Sequence, residues 1–486
     1  MQTKTAFFFF ILLSLSLFII SRIDSHKTLF MIDEVIPVEV SNTISSTDKL
    51  NTNWVNSEKL PVFFKRDQFN FSAYILTNHF LYKLITIFDF GIPKLLFFRL
   101  CNIIFQIGTL LILIKILKNL IIPHIYIFLF VLFFIFSPLL IQDAHYARPE
   151  SFFMLISVST IFFLFNFSKY YILFTGLLIG FGMSTKVSFA PFFLIPIYLI
   201  FYRERNIIKA TILFLTMVMI GFIIGTPYAV LEPKKYLNGV TYLMNQYAGI
   251  HPPHSHKNYS YLSQFVWISE YFFKTHGIFF FLFPIILLFF KKKEIDLGKI
   301  CILFLICLFY LLYFSTRSVF FARNFSHIVP IILLLSTIAI NFIFHHQTSF
   351  FAKTIILVVL ITTLYTEISV SYQIFQNTQP YYIKKKSQHL QKVEEHLCLQ
   401  YKTNIYNIAF PEIFASKNIF NTNSHMILKV IDYQDDWSKN FIKKLKYAGL
   451  KEVYILYSDF YNIPTSTLHT YHSPTYHYFL GPVKHF

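Results

Sequence analysis

Charge is scarce in this chain. Asp, Glu, Lys and Arg make up 14% of its 486 residues, against 55% hydrophobic and 20% aromatic. Soluble cores cannot absorb that much apolar surface, and with a mean hydropathy of +0.55 the composition excludes a soluble enzyme, a fibrous chain and a disordered one. Cysteine is nearly absent too. Of the four, Cys101, Cys301 and Cys307 lie in apolar runs and Cys398 stands alone, so there is no disulfide framework and no zinc-ligand spacing. Acidic residues are the rarer sign, 24 against 42 basic, for a formal charge of +18. In a soluble protein that excess would suggest nucleic acid. Here most of the basic clusters flank apolar segments, where an anionic leaflet accounts for them, so no nucleic-acid partner is expected and membrane lipids are.

What is present is a series of apolar runs. The first, Thr5 to Ser21, follows Lys4 and has no small-residue cleavage site after it, which reads as an uncleaved span. Ten more cover approximately 95–117, 124–141, 151–167, 170–183, 187–202, 207–225, 276–290, 300–315, 328–344 and 350–370. About eleven spans place Lys115, Lys118, Lys169, Arg203, Arg205, Lys209, the 291–293 lysines, Lys299 and Lys353 on one face with Lys4, as the positive-inside rule requires of the cytoplasmic side. The expected architecture is an all-α polytopic bundle over residues 1–370, with an external polar loop at 22–94 containing amphipathic pieces. A small external α/β domain is expected over 371–486. In that tail, apolar runs at Ile405 to Phe410, Met426 to Val430 and Val453 to Tyr457 read as strands, and Asp435 to Lys446 reads as a helix. No Gly-rich phosphate loop or nucleophile motif occurs in the tail, which suits an accessory role.

The short external connections should be poor in Lys and Arg, yet they contain Arg148, Lys186, Arg317 and Arg323, and Arg99 lies at the external end of the second span. Ionisable groups beside a membrane are costly and persist where they have partners. Gathered on one face, these cations suit a lipid phosphate or diphosphate, which guanidinium groups bind in bidentate fashion. The plainer alternative is interfacial anchoring, or pairing with Asp143 and Glu150. The acidic pair Asp33-Glu34 follows the first span. A carboxylate facing the same pocket could take a proton from an acceptor hydroxyl or amine while a phosphate leaves; a solvated helix start is the bland reading. Candidate acceptor-side histidines are His79, His145, His254 and His327. In His251-Pro252-Pro253-His254-Ser255-His256, three imidazoles are close enough to ligate a divalent metal. Two prolines stiffen the segment and no carboxylate follows closely, which favours a structured acceptor-side loop.

These motifs occur in a distinctive order. Asp33-Glu34 is followed by Asn53-Trp54, Pro61, Tyr74 and Tyr82, then by Arg99-Leu100 opening a span. Ala147-Arg148-Pro149-Glu150-Ser151, Gly176 to Gly180 with Ser184-Thr185-Lys186, and Ala322-Arg323-Asn324 with His327 and Pro330 come after. Over residues 1 to 345 the order resembles the C-type (GT-C) glycosyltransferases that use polyprenyl-phosphate sugars. Protein O-mannosyltransferases, lipid A aminoarabinose transferases and lipopolysaccharide-core transferases are members of that group. The resemblance implies an inverting transfer from a polyprenyl-phosphate-linked sugar to an envelope glycan, lipid or protein, on the external face of a bacterial plasma membrane. Asp33 matches the catalytic aspartate and Glu34 the acid beside it. Arg148, Lys186 and Arg323 match groups offsetting charge on the leaving phosphate, with Arg99 and Arg317 as further phosphate ligands and the four histidines as acceptor or loop contacts. No cofactor is implied beyond a divalent ion that some relatives bind. A transporter or flippase for a lipid-linked anion would use the same cations without chemistry, but its charges should lie near span centres.

Overall fold

The computed structural model describes residues 13–22, 32–60, 64–166, 170–249, 260–277, 296–346 and 350–378, together with five strands of the tail. The chain forms two compact units. The larger takes residues 1–243, 265–316 and 321–379, the smaller 244–264, 317–320 and 380–486.

The larger unit is helical. A helix at 13–20, α1, leads to the polar region that holds α2 (Val35–Thr47) and α3 (Ser72–Thr86). There follow α4 (Lys94–Asn119), α5 (His124–Phe136), α6 (Pro138–His145), α7 (Glu150–Phe165), α8 (Tyr171–Thr185), α9 (Leu194–Arg203), α10 (Ile207–Gly225), α11 (Pro227–Leu231), α12 (Pro233–Ala248), α13 (Tyr261–His276), α14 (Leu297–Ser315), α15 (Val329–His346) and α16 (Phe350–Thr378). Prolines mark several starts, Pro138 and Pro227 within the first turn and Pro93 and Pro123 just before it, positions where the missing N–H has no intrahelical partner to lose. Asn206 caps α10 by accepting from the Lys209 amide at 2.9 Å.

Lys94–Asn119, Ile207–Gly225, Leu297–Ser315 and Lys353–Tyr372 are each long and apolar enough to cross a bilayer. The chain is a multi-pass membrane protein. The expected runs outside 5–21 and 276–290 all coincide with helices among the described residues, whereas most of 276–290 and part of 5–21 lie outside them. Two runs are not simple spans. The 124–141 run bends by 52° between α5 and α6, because Pro138 cannot donate to the preceding turn. The 187–202 run opens as a 3-10 helix, Val187–Phe193, with Pro191 inside it. In the polar region α2 buries Ile36, Val40 and Ile44, one per turn, while Ser45 to Thr47 are exposed, an amphipathic pattern.

The tightest packing is between α8 and α10. Gly176 and Gly180 of α8 and Gly221 and Gly225 of α10 sit at this contact. A Cβ on Gly180 would collide with the Val218 carbonyl and lie 2.6 Å from the Phe222 amide, and one on Gly221 would strike the Leu177 carbonyl. Small residues four apart let two helix backbones touch where the hydrophobic effect between helices is weak. Elsewhere a buried pair, His276 Nδ1 to Glu367 Oε1 at 2.8 Å, ties α13 to α16.

The smaller unit contains a five-stranded sheet in the order β1 (Ile405–Ile408), β2 (His425–Val430), β3 (Glu452–Ser458), β5 (His477–Pro482), β4 (His469–His472). The first three strands are parallel, with Ile405 opposite Ile427 and Ile427 opposite Tyr454. β5 joins them antiparallel through Leu456 and Leu480 and pairs with β4 as a hairpin. The expected strands are all present. The helix expected at 435–446 lies outside the described residues.

Candidate active site

The site is built on the helix starts and turns that follow α6, α8 and α14. Asp33 lies in a 3-10 turn, Ile32–Glu34, that runs into α2. Arg323 lies in another, Ala322–Phe325, before α15. Arg323 Nη1 donates to Asp33 Oδ2 at 2.7 Å, and both side chains remain about a quarter exposed, 28% and 26%.

Behind this pair the charges are buried. Glu150 is the first residue of α7, where the helix dipole favours an anion. It accepts from Lys186 Nζ at 2.8 Å, Arg148 Nε stands 3.9 Å from its other oxygen, and Arg323 is near enough to interact with it electrostatically. Arg148 also reaches Asp143 Oδ1 at 3.2 Å, and Ser326 donates its hydroxyl to Asp143 Oδ2. Asp33, Asp143 and Glu150 thus face Arg148, Lys186 and Arg323, and the six formal charges cancel. Such networks are stable in low dielectric only when each member is paired.

Lys186 is aimed by strain next to it. It ends α8 in an extended conformation, and the preceding Thr185 carbonyl accepts from the Phe71 amide at 2.9 Å. Phe71 starts α3 with φ at 71°, a conformation that costs a bulky residue energy and is kept only where its surroundings enforce it. Its ring and that of Phe153 stand 5.8 and 5.7 Å from the ammonium, within cation–π range.

Glu34 and Arg99 do something different from their neighbours. Arg99 grips Glu34 through two bonds, Nε to Oε1 at 2.8 Å and Nη2 to Oε2 at 2.7 Å, with both side chains buried. Glu34 Oε1 also accepts from the Ala147 amide at 2.6 Å. From α4, Asn102 donates to the carbonyls of Tyr146 and Arg148, at 2.5 and 2.8 Å. Gln106 donates to Leu140 O at 2.7 Å and Ser151 Oγ at 3.1 Å, and accepts from the fully buried Arg22 at 2.9 Å. Arg22 also donates to Ile135 O at 3.2 Å, at the break between α5 and α6. A polar stripe, Arg99, Asn102 and Gln106, therefore braces the 140–151 region. Its i, i+3, i+7 spacing within an apolar run is the signal that sequence reading passed over. Tyr74, from α3, brings a buried hydroxyl to the neighbourhood of Asn102; burial, then the charges of Cys101, Glu34 and Glu150, holds it protonated.

The other expected residues have surroundings of their own. His79 pairs with Ser41 at 3.1 Å, and burial followed by the Lys94 charge lowers its pKa. His145 is buried, with Nδ1 at 2.6 Å from the Ile141 carbonyl. His327 sits edge-on to Phe153 and Tyr310, each ring 4.5 Å away, and burial lowers its pKa far below the usual imidazole range. Arg317 belongs to the smaller unit, and His254 lies outside the described residues. Among the described residues no group of three or more His, Cys, Asp or Glu side chains is arranged to hold a metal ion.

Neither protein-family models nor curated protein sequences match the chain. Solved structures do. ArnT from Cupriavidus metallidurans, crystallised bound to undecaprenyl phosphate, aligns over 98% of this chain and 98% of its own, with a TM-score of 0.51 and 10% identity. The apo form of ArnT aligns over 99% and 98%, with the same score and identity. The chain shares the GT-C fold. At one identical residue in ten, too few to carry a site across, the likeness is one of backbone path.

Proposed function

We propose that this protein is an integral membrane glycosyltransferase that moves a sugar from a polyprenyl-phosphate donor to an envelope glycan, lipid or protein. The observation that carries the reading is the Asp33–Arg323 pair at the accessible edge of a buried cation cluster, in a fold shared along its whole length with a protein crystallised with undecaprenyl phosphate.

In this reading the donor phosphate competes with Asp33 for Arg323. The donor's phosphodiester is singly charged like the carboxylate, and its two non-bridging oxygens suit a guanidinium's two-pronged donors. Donor binding at Arg323 therefore releases the Asp33 carboxylate where a base is needed, and the second charge develops on the phosphate only as the sugar leaves. The acceptor oxygen or nitrogen then attacks the anomeric carbon and passes its proton to Asp33. The bond from that carbon to the phosphate oxygen breaks with inversion, and its electron pair stays on the lipid phosphate. Arg323, Lys186 and Arg148 offset that charge where water is excluded. Glu34 and Arg99 hold the 146–148 turn, and through it Arg148. Residues 371–486 form an accessory domain on the external side of a bacterial plasma membrane, the face on which transfer takes place.

The test compares envelope glycolipids and glycoproteins by mass spectrometry in cells with the wild-type gene, with Asp33→Asn, and without the gene. Loss of the same sugar from one acceptor class in both altered strains supports the proposal. An Asp33→Asn strain indistinguishable from wild type overturns it.

A further inference from the structure

A groove lies at the other end of α4. Ile107, Leu111, Ile114, Lys115 and Lys118 share one stripe of that helix at i, i+4, i+7, i+8 and i+11, and together with Ser14 and Leu15 of α1 and Val131 of α5 they line a cavity of about 290 Å³. Such a volume is near the lower end of ligand pockets, about 300 Å³. From Ile107 to Lys118 the helix rises about 16 Å, close to half of a hydrocarbon core about 30 Å thick, so the groove spans one leaflet. Its basic end is about 28 Å along α4 from Arg99, so it opens on the membrane face opposite the Asp33 site.

The lining has a polarity of its own. Leucines and isoleucines form its length, Leu111 is half exposed, Lys115 and Lys118 stand exposed at the mouth, and no acidic side chain is among the described lining residues. Lys115 also sits over the Phe162 ring at 5.0 Å, which fixes its ammonium near the rim. Inside the groove the Ser14 hydroxyl, on a residue 5% exposed, has no hydrogen-bond partner in the protein. A buried orphan donor is costly, and a lipid ester can accept from it where a bare hydrocarbon cannot. We infer that this groove binds an anionic phospholipid of the leaflet opposite the active site, its acyl chain along the α1–α4 stripe and its phosphate at Lys115 and Lys118.

The experiment uses the full-length protein in mixed vesicles carrying nitroxide-labelled phosphatidylglycerol or phosphatidylcholine, with electron spin resonance reporting the immobilised fraction. Wild type is expected to prefer phosphatidylglycerol. Lys115→Gln with Lys118→Gln should lower that preference by about fivefold per lysine, while Lys209→Gln, an exposed lysine at the start of α10, leaves it in place. Ile114→Trp, which fills the groove with both lysines intact, should reduce the immobilised phosphatidylglycerol as well. An unchanged preference in the double variant, or an equal loss with Lys209→Gln, would overturn the assignment and leave only general attraction to an anionic surface.

Discussion

Arg323 and Asp33 are 290 positions apart in the chain and 2.7 Å apart in the fold. Among the ion pairs of the site theirs alone has both partners about a quarter exposed, whereas Asp143, Glu150 and Arg148 are buried. In the proposed mechanism an incoming donor phosphate would meet Arg323 first and displace Asp33.

Asp33→Asn keeps the size of the side chain and removes its basicity. Turnover of a polyprenyl-phosphate sugar should fall by roughly 10²–10⁴-fold, the usual worth of a general base, with donor binding retained. Single-turnover kinetics and donor titration on the purified variant check this, and unchanged turnover removes Asp33 from the role.

Arg323→Ala and Lys186→Ala should differ. Removing Arg323 frees a carboxylate that is about a quarter exposed and should weaken the donor, with little effect on folding. Removing Lys186 strips a buried carboxylate, Glu150, of its nearest cation, and uncompensated buried charges cost about 3–5 kcal/mol. Thermal unfolding in detergent should therefore drop sharply for Lys186→Ala and only slightly for Arg323→Ala. Equal drops would show that the two pairs are equally buried in solution.

The Glu34–Arg99 pair calls for a cycle of three variants. Glu34→Gln and Arg99→Met each leave one buried partner stranded and should each destabilise by about 3–5 kcal/mol. The double variant should be less damaged than the sum of the two, because no lone charge remains. Additive losses in unfolding experiments would mean that the two side chains do not interact.

Gly180→Val places branched carbons against the Val218 carbonyl and the Phe222 amide. Backbone cannot yield as a side chain can, so overpacking by at least about 1–3 kcal/mol is expected. The outcome should be poor yield of monodisperse protein. Gly91→Ala, where nothing lies within 4 Å of the added carbon but φ is +61°, should cost no more than about 1 kcal/mol. Equal yields of the two variants would refute the close α8–α10 contact.

His327 gives a pH signature. Burial, reinforced by the Lys186 charge, lowers its pKa far below the usual value. The unfolded chain therefore takes a proton near pH 6.5 that the folded chain refuses. Stability attributable to His327 is complete above that pH and declines below it, by at most about 1.4 kcal/mol per pH unit. Melting temperatures of wild type and His327→Phe between pH 7.5 and 5 should diverge as pH falls, the wild type losing more. Parallel curves would show that the imidazole is accessible to protons in the fold.

Hydropathy is a local property, and a window of one helix is enough to read it. For that reason the apolar runs, the amphipathic region before α4 and the parallel strands of the tail were visible in the sequence. The order of short motifs was visible too, and with it the fold. Strands β4 and β5 were not, since His469 to His472 and His477 to Pro482 lack the clean alternation that marks a half-buried strand. The bend at Pro138 had a plain cause in the chain, but whether a proline kinks or ends a span depends on what receives the freed carbonyls, and here the buried Arg22 does so from another helix.

The sequence alone determined that this chain lives in a bilayer and which of its residues are ionisable, because both follow from residue type and spacing along one dimension. Only the tertiary structure decided the pairings: Glu34 went to Arg99, Glu150 to Lys186 and Asp33 to Arg323. Neighbours in sequence, Asp33 and Glu34 took opposite roles, one at an accessible edge and one sealed behind a turn. Burial sets the strength of an ion pair, and burial is fixed by helices that meet from distant parts of the chain.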